Sequence, residues 1–124
     1  MRMRKRILVV DDDEAVLDFM RAKLGVRFEI VATGDADSVL QIARQQMPDL
    51  IICDVDMPEM DGGDVSAALY GDDDTRDIPL LFLTGLASEQ VLDQLSGQLA
   101  GRVAISKSAP IEKLVAAIER ALGG

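Results

Sequence analysis

Hydrophobic positions along the chain gather in four short unbroken runs, Ile7–Val10, Leu50–Cys53, Leu80–Leu83 and Val103–Ile105. None alternates with polar residues, which is the pattern of parallel strands buried on both faces. A fifth segment, Phe28–Ala32, is less apolar and predicts an edge strand. Between the runs the spacing becomes helical. Ile111, Leu114, Val115, Ile118 and Leu122 fall on one stripe, as do Ala36, Val39, Leu40, Ala43 and Met47, with Pro48 as the stop. Val16, Leu17, Met20 and Leu24 form a third stripe, closed by Gly25. Shorter helices are predicted over 64–70 and 88–95, the second capped by Ser88.

Strand and helix therefore alternate five times without a linker or repeat. Such alternation predicts an α/β fold, a parallel sheet with helices on both faces. Five strands and five helices fit the flavodoxin-like, doubly wound order 2-1-3-4-5, with the first, third and fourth strands inside. Ligands of these sheets bind beyond the carboxyl ends of the strands.

Composition narrows the function classes. The 124 residues suit one domain, with residues 1–5 as a basic lead-in; 48% hydrophobic and 28% charged residues exclude a disordered or fibrous chain. A formal net charge of −9 argues against direct binding to nucleic acid or an anionic membrane. The chain has no histidine and one cysteine, Cys53, which excludes imidazole-based zinc sites, Ser-His-Asp triads and an intrachain disulfide. The apolar run after Arg6 is too short for a signal peptide or a membrane span, so a cytoplasmic protein is expected.

Chemistry collects where the runs end. Asp11, Asp12 and Asp13 follow the first, Asp54 the third, Thr84 the fourth, and Ser106 and Lys107 the fifth strand. In the predicted sheet these groups share one edge. Clustered carboxylates repel by roughly 4 kcal/mol per pair at 4 Å and an effective dielectric near 20, so they take up protons or a cation. Oxygen ligands alone favour Mg²⁺ or Mn²⁺ over zinc. The charges of Asp11, Asp12, Asp54, Lys107 and one divalent ion cancel, leaving a neutral pocket suited to a phosphoryl group.

Plainer roles exist for each residue alone. Asp11–Asp13 suit a helix N-terminus, Thr84 and Gly85 a turn, Lys107 the surface, and Cys53 a small buried position. Asp72–Asp74 reads as a solvated loop without function. Only their coincidence at one sheet edge favours a site.

Val9–Asp12, the segment Asp54–Gly62 (sequence DVDMPEMDG), Thr84–Gly85 and Lys107, in this order, resemble the receiver domain of two-component response regulators over nearly the whole chain. The resemblance implies a phosphoacceptor at Asp54, serving a phosphohistidine on a sensor histidine kinase or phosphotransfer protein. Asp12 would hold Mg²⁺ directly, Asp11 through water, and Asp56 through its backbone carbonyl. Lys107 and Thr84 would contact the phosphoryl oxygens, and movement of Thr84 would switch a surface for a downstream protein or output domain. Such a chain is a signalling phosphoacceptor, not an enzyme in the ordinary sense, although it would promote its own phosphotransfer and dephosphorylation. Phosphorylation-dependent homodimerisation is a further expectation.

Three positions depart from the family pattern. Ala104 stands where an aromatic residue is usual, and Ser108 stands where a proline follows the lysine, so a trans Lys107–Ser108 bond is expected. Asp56 is acidic where the family varies, and its side chain is expected to flank the acyl phosphate. The alternatives are a pseudo-receiver serving only as an interaction module, a haloacid-dehalogenase-type phosphatase suggested by Asp54 and Asp56, and a flavodoxin. The second lacks the usual loop and length, and in the third Asp11–Asp13 occupy the phosphate turn.

Overall fold

The computed structural model describes residues 4–56, 62–85, 88–95, 97–99 and 102–123. β1 (Arg6–Val10), β2 (Glu29–Thr33), β3 (Leu50–Asp54), β4 (Leu80–Thr84), β5 (Gln98–Leu99) and β6 (Arg102–Ser106) form one sheet in the order β2-β1-β3-β4-β6-β5. Four helices connect them, α1 (Glu14–Leu24), α2 (Val39–Gln46), α3 (Gly62–Tyr70) and α4 (Glu89–Gln94), and α5 (Ile111–Ala121) follows β6. The predicted flavodoxin-like core is present, its five long strands all parallel. Beyond the five predicted strands, β5 adds a two-residue strand antiparallel to β6 that covers the far edge.

Each run serves two cores because successive strand residues face opposite sides. Ile7, Val9, Leu50, Ile52, Leu81, Leu83 and Ile105 pack with Leu17, Met20 and Leu24 of α1 and Leu114, Ala117 and Ile118 of α5. Leu8, Val10, Ile51, Cys53, Leu80, Phe82 and Ala104 pack with residues of α2, α3 and α4, including Val39, Ala43, Val65, Leu69 and Leu92. A strand loaded on both faces has no polar alternate positions. Cys53 is fully buried, as its neighbours required.

Local chemistry moved several boundaries. The second helical stripe opens as a 3₁₀ turn over Ala36–Ser38, capped by Asp35, whose carboxylate accepts the Asp37 N–H at 3.0 Å. α2 stops at Gln46, and Met47 turns left-handed (φ 47°) and is 52% exposed, so it leaves the apolar stripe. Pro48 disfavours a helical residue before it, which accounts for the early stop. Ser88 caps α4 as expected, accepting the Val91 N–H at 3.2 Å.

Two charged segments are more structural than their composition suggests. Arg6 belongs to β1: its guanidinium pairs with Glu29 at 3.0 Å and its amide donates to Asp49 at 2.8 Å. Asp72 pairs with Arg44 of α2 and accepts the Asp74 N–H at 2.9 Å, so the acidic loop is tied to the fold. Arg44 holds the Asp72 carboxyl below the usual carboxylate range.

Candidate functional site

The carboxyl ends of β1, β3, β4 and β6 bring the predicted residues together. Parallel pairing sets Val10 beside Cys53, Asp54 beside Leu83, and Thr84 beside Ser106, so residues distant in sequence finish at one level. Asp11, Asp54, Thr84 and Ser106 are all buried. Carboxylate oxygens of Asp11, Asp12 and Asp54 all lie within 4.8 Å of one another, with Asp12 exposed at the mouth. Asp13 has the plainer role. Its side chain caps α1 by accepting the Ala15 N–H at 2.9 Å.

Lys107 closes the cluster from the side. Its ammonium stands 2.8 Å from Asp11 Oδ2 and 3.4 Å from Asp54 Oδ2. Its backbone amide donates to the Thr84 carbonyl at 2.8 Å, anchoring the chain after β6 to β4. Burial works against the Lys107 charge, but the carboxylates of Asp11 and Asp54 outweigh it and raise its pKa above the ordinary lysine value. Burial also pushes the Asp54 carboxyl up, helped by the Asp11 charge and opposed by the Asp56 amide and Lys107. Taking carboxylates out of water disfavours their ionised form unless opposite charge answers them.

Asp11 tests whether a cation fits. Its Oδ1 accepts the Asp13 N–H at 2.9 Å, while the buried Oδ2 faces the Lys107 ammonium at 2.8 Å. Three carboxylates gathered within 4.8 Å against a single ammonium, with no sulfur or imidazole ligand beside them, suit a hard divalent ion. The donor set therefore fits Mg²⁺.

Asp56 makes two separate contacts, one from its backbone and one from its side chain. Its amide donates to Asp54 Oδ1 at 3.0 Å, but its carboxylate turns to the end of β4. There Oδ2 accepts from the Thr84 hydroxyl at 3.3 Å and the Gly85 N–H at 3.0 Å. Sequence spacing gave no sign of this contact, because it depends on how far the loop after β3 curls toward β4. The remainder of the motif, residues 57–61, lies outside the described residues.

The departures at Ala104 on β6 and at Ser108 in the turn after it also have structural consequences. No cis peptide occurs among the described residues, so Lys107–Ser108 is trans. Ser108 closes the turn with its own atoms: its amide donates to Ser106 Oγ at 3.2 Å, and the two hydroxyls lie 2.8 Å apart. Ala104 is buried and lines a cavity of about 240 Å³ bounded also by Leu92, Val103 and Lys113. No aromatic ring is available at that position to move with Thr84.

Comparisons with known proteins agree with this fold. Residues 7–119 match the response regulator receiver domain family. Relatives include response regulator PleD of Caulobacter vibrioides, 44% identical over 68% of this chain and 19% of PleD. The polar-differentiation response regulator DivK of Brucella anthropi is 29% identical over 98% of both chains. The DNA-binding regulator RpaA of Synechocystis is 33% identical, and the chain spans 48% of its length. A crystal structure of a response regulator from Desulfuromonas acetoxidans superposes with a TM-score of 0.80 at 30% identity, covering 96% of this chain and 97% of that one. The chemotaxis protein CheY4 of Vibrio cholerae gives 0.79 at 25% identity, over 95% and 98%. No helix among the described residues is long and apolar enough to cross a membrane. From its strand-end chemistry and from these matches alike, the chain belongs to the response regulator receiver domain family of two-component systems.

Proposed function

We infer that Asp54 accepts a phosphoryl group from a phosphohistidine on a sensor histidine kinase or phosphotransfer protein. The observation that supports this most is the meeting of the Asp11, Asp12 and Asp54 carboxylates within 4.8 Å, with Lys107 3.4 Å from Asp54. An Asp54 carboxylate oxygen attacks phosphorus, a P–O bond forms, and the P–N bond breaks with its electron pair passing to the imidazole. The product is an aspartyl phosphate.

The chain's own residues orient this exchange. The Asp56 amide holds Asp54 Oδ1, leaving Oδ2 toward Lys107. The ammonium neutralises charge on the incoming phosphoryl oxygens, and the Thr84 hydroxyl supplies a further donor once the group is in place. Asp12 directly, Asp11 through water, Asp54 and the backbone carbonyl of Asp56 would hold Mg²⁺ or Mn²⁺. That ion supplies positive charge against the phosphoryl oxygens when bound. The added negative charge then biases the end of β4 between two states, which changes the surface offered to a downstream protein or output domain. On the same reading the chain works in the cytoplasm beside its kinase and lowers the barrier to its own dephosphorylation.

Titration with beryllofluoride, a phosphoryl mimic, in the presence of Mg²⁺ tests the proposal. Wild-type protein is expected to show saturable amide shifts around residues 54, 84 and 107, and Asp54→Asn none. Absence of shifts in the wild type would favour a pure interaction module.

A further inference from the structure

Asp56 connects two parts of the site. Its amide is bound to Asp54, while one oxygen of its carboxylate receives both the Thr84 hydroxyl and the Gly85 N–H. The end of β4 thus directs two donors at a single acceptor, on a residue two positions past the proposed phosphoacceptor. We propose, resting on the phosphoacceptor reading of Asp54, that Asp56 is a positioning residue for Thr84. Its carboxylate retains the threonine hydroxyl and the Gly85 N–H until a phosphoryl group on Asp54 draws them away.

The chemistry of the competitors supports an exchange in this direction. Both rivals are anionic acceptors, but a phosphoryl group brings close to two negative charges and three acceptor oxygens, against one charge on the carboxylate. Asp56 is exposed, so water replaces its lost donors at little cost. Like charge on the new phosphoryl group repels the carboxylate and adds to the release. No covalent bond changes; two hydrogen bonds change acceptor. An acid at 56 therefore raises the threshold at which the β4 end moves, in a chain that has Ala104 in place of a moving ring. The backbone carbonyl of Asp56 remains separate from this role.

Two substitutions isolate the hydrogen bonds from the charge. Asp56→Ala and Asp56→Asn both remove the negative charge, and only alanine also removes the acceptor oxygen. In ¹H–¹⁵N spectra of the free protein, the Gly85 amide proton is expected to move upfield in D56A and to stay near its wild-type position in D56N. With Mg²⁺ present, beryllofluoride is expected to bind D56A about fivefold more tightly than D56N, the worth of one ordinary hydrogen bond. Equal Gly85 shifts in the two variants, or equal affinities, would overturn the proposal. Failure of the wild type to bind the mimic would instead overturn the phosphoacceptor reading, while the Gly85 comparison in free protein still judges the contact itself.

Discussion

The Lys107 ammonium lies 2.8 Å from the Asp11 carboxylate, although two strands, β3 and β4, separate theirs in the sheet. Asp11 is fully buried, so removing the cation leaves its charge unanswered. Lys107→Ala is expected to destabilise the metal-free protein by about 2 kcal/mol, below the full value for a buried pair because Lys107 keeps some contact with water. Urea unfolding of the two proteins checks this, and Mg²⁺ should restore part of the loss.

Asp54 carries a pH dependence of defined sign. Its folded-state pKa is raised above the ordinary 3.8, chiefly by burial, so its ionised form weighs against the fold at neutral pH. Lowering the pH from neutral through that raised value toward 3.8 should therefore bring a stabilising contribution from this residue. Asp54→Asn should remove the contribution and be more stable than wild type at pH 7 without metal. Thermal melts of both proteins across pH, in chelator, give the comparison.

Metal binding should appear as stability. Mg²⁺ at a hundred times its dissociation constant adds about 2.7 kcal/mol if it binds only the folded chain. Asp12→Asn should lose most of this increment with little change in its metal-free melt, because Asp12 is exposed. Melting temperatures with Mg²⁺ and with chelator, in wild type and variant, supply the measurement.

The fold was largely legible because the runs Ile7–Val10 and Leu50–Cys53 had no polar alternates, and both faces of the sheet proved to be covered. The convergence of Asp11, Asp54, Thr84 and Lys107 followed from parallel order alone. What escaped depended on short-range geometry. Two residues, Gln98 and Leu99, are too few for a strand pattern, and the exit of Met47 from its stripe reflects the backbone constraint imposed by Pro48. The contact of the Asp56 carboxylate with the end of β4 was not legible, since nothing in its spacing tells which strand end a loop side chain will meet.

Ser108 offers a test of how the turn after Lys107 is held. Its amide and hydroxyl both engage Ser106 Oγ. Ser108→Pro removes both contacts and is expected to cost about 1–2 kcal/mol, even though proline is usual there in the family. Chemical unfolding of this variant beside Ser108→Ala, which keeps the amide contact and should lose less, measures it.

The most direct measurement of the central claim is chemical identification of the phosphorylated residue. Protein treated with acetyl phosphate and Mg²⁺, then reduced with borohydride, should yield homoserine at position 54 on peptide sequencing, and none when Mg²⁺ is withheld. Homoserine at another aspartate, or at no position, would contradict the account.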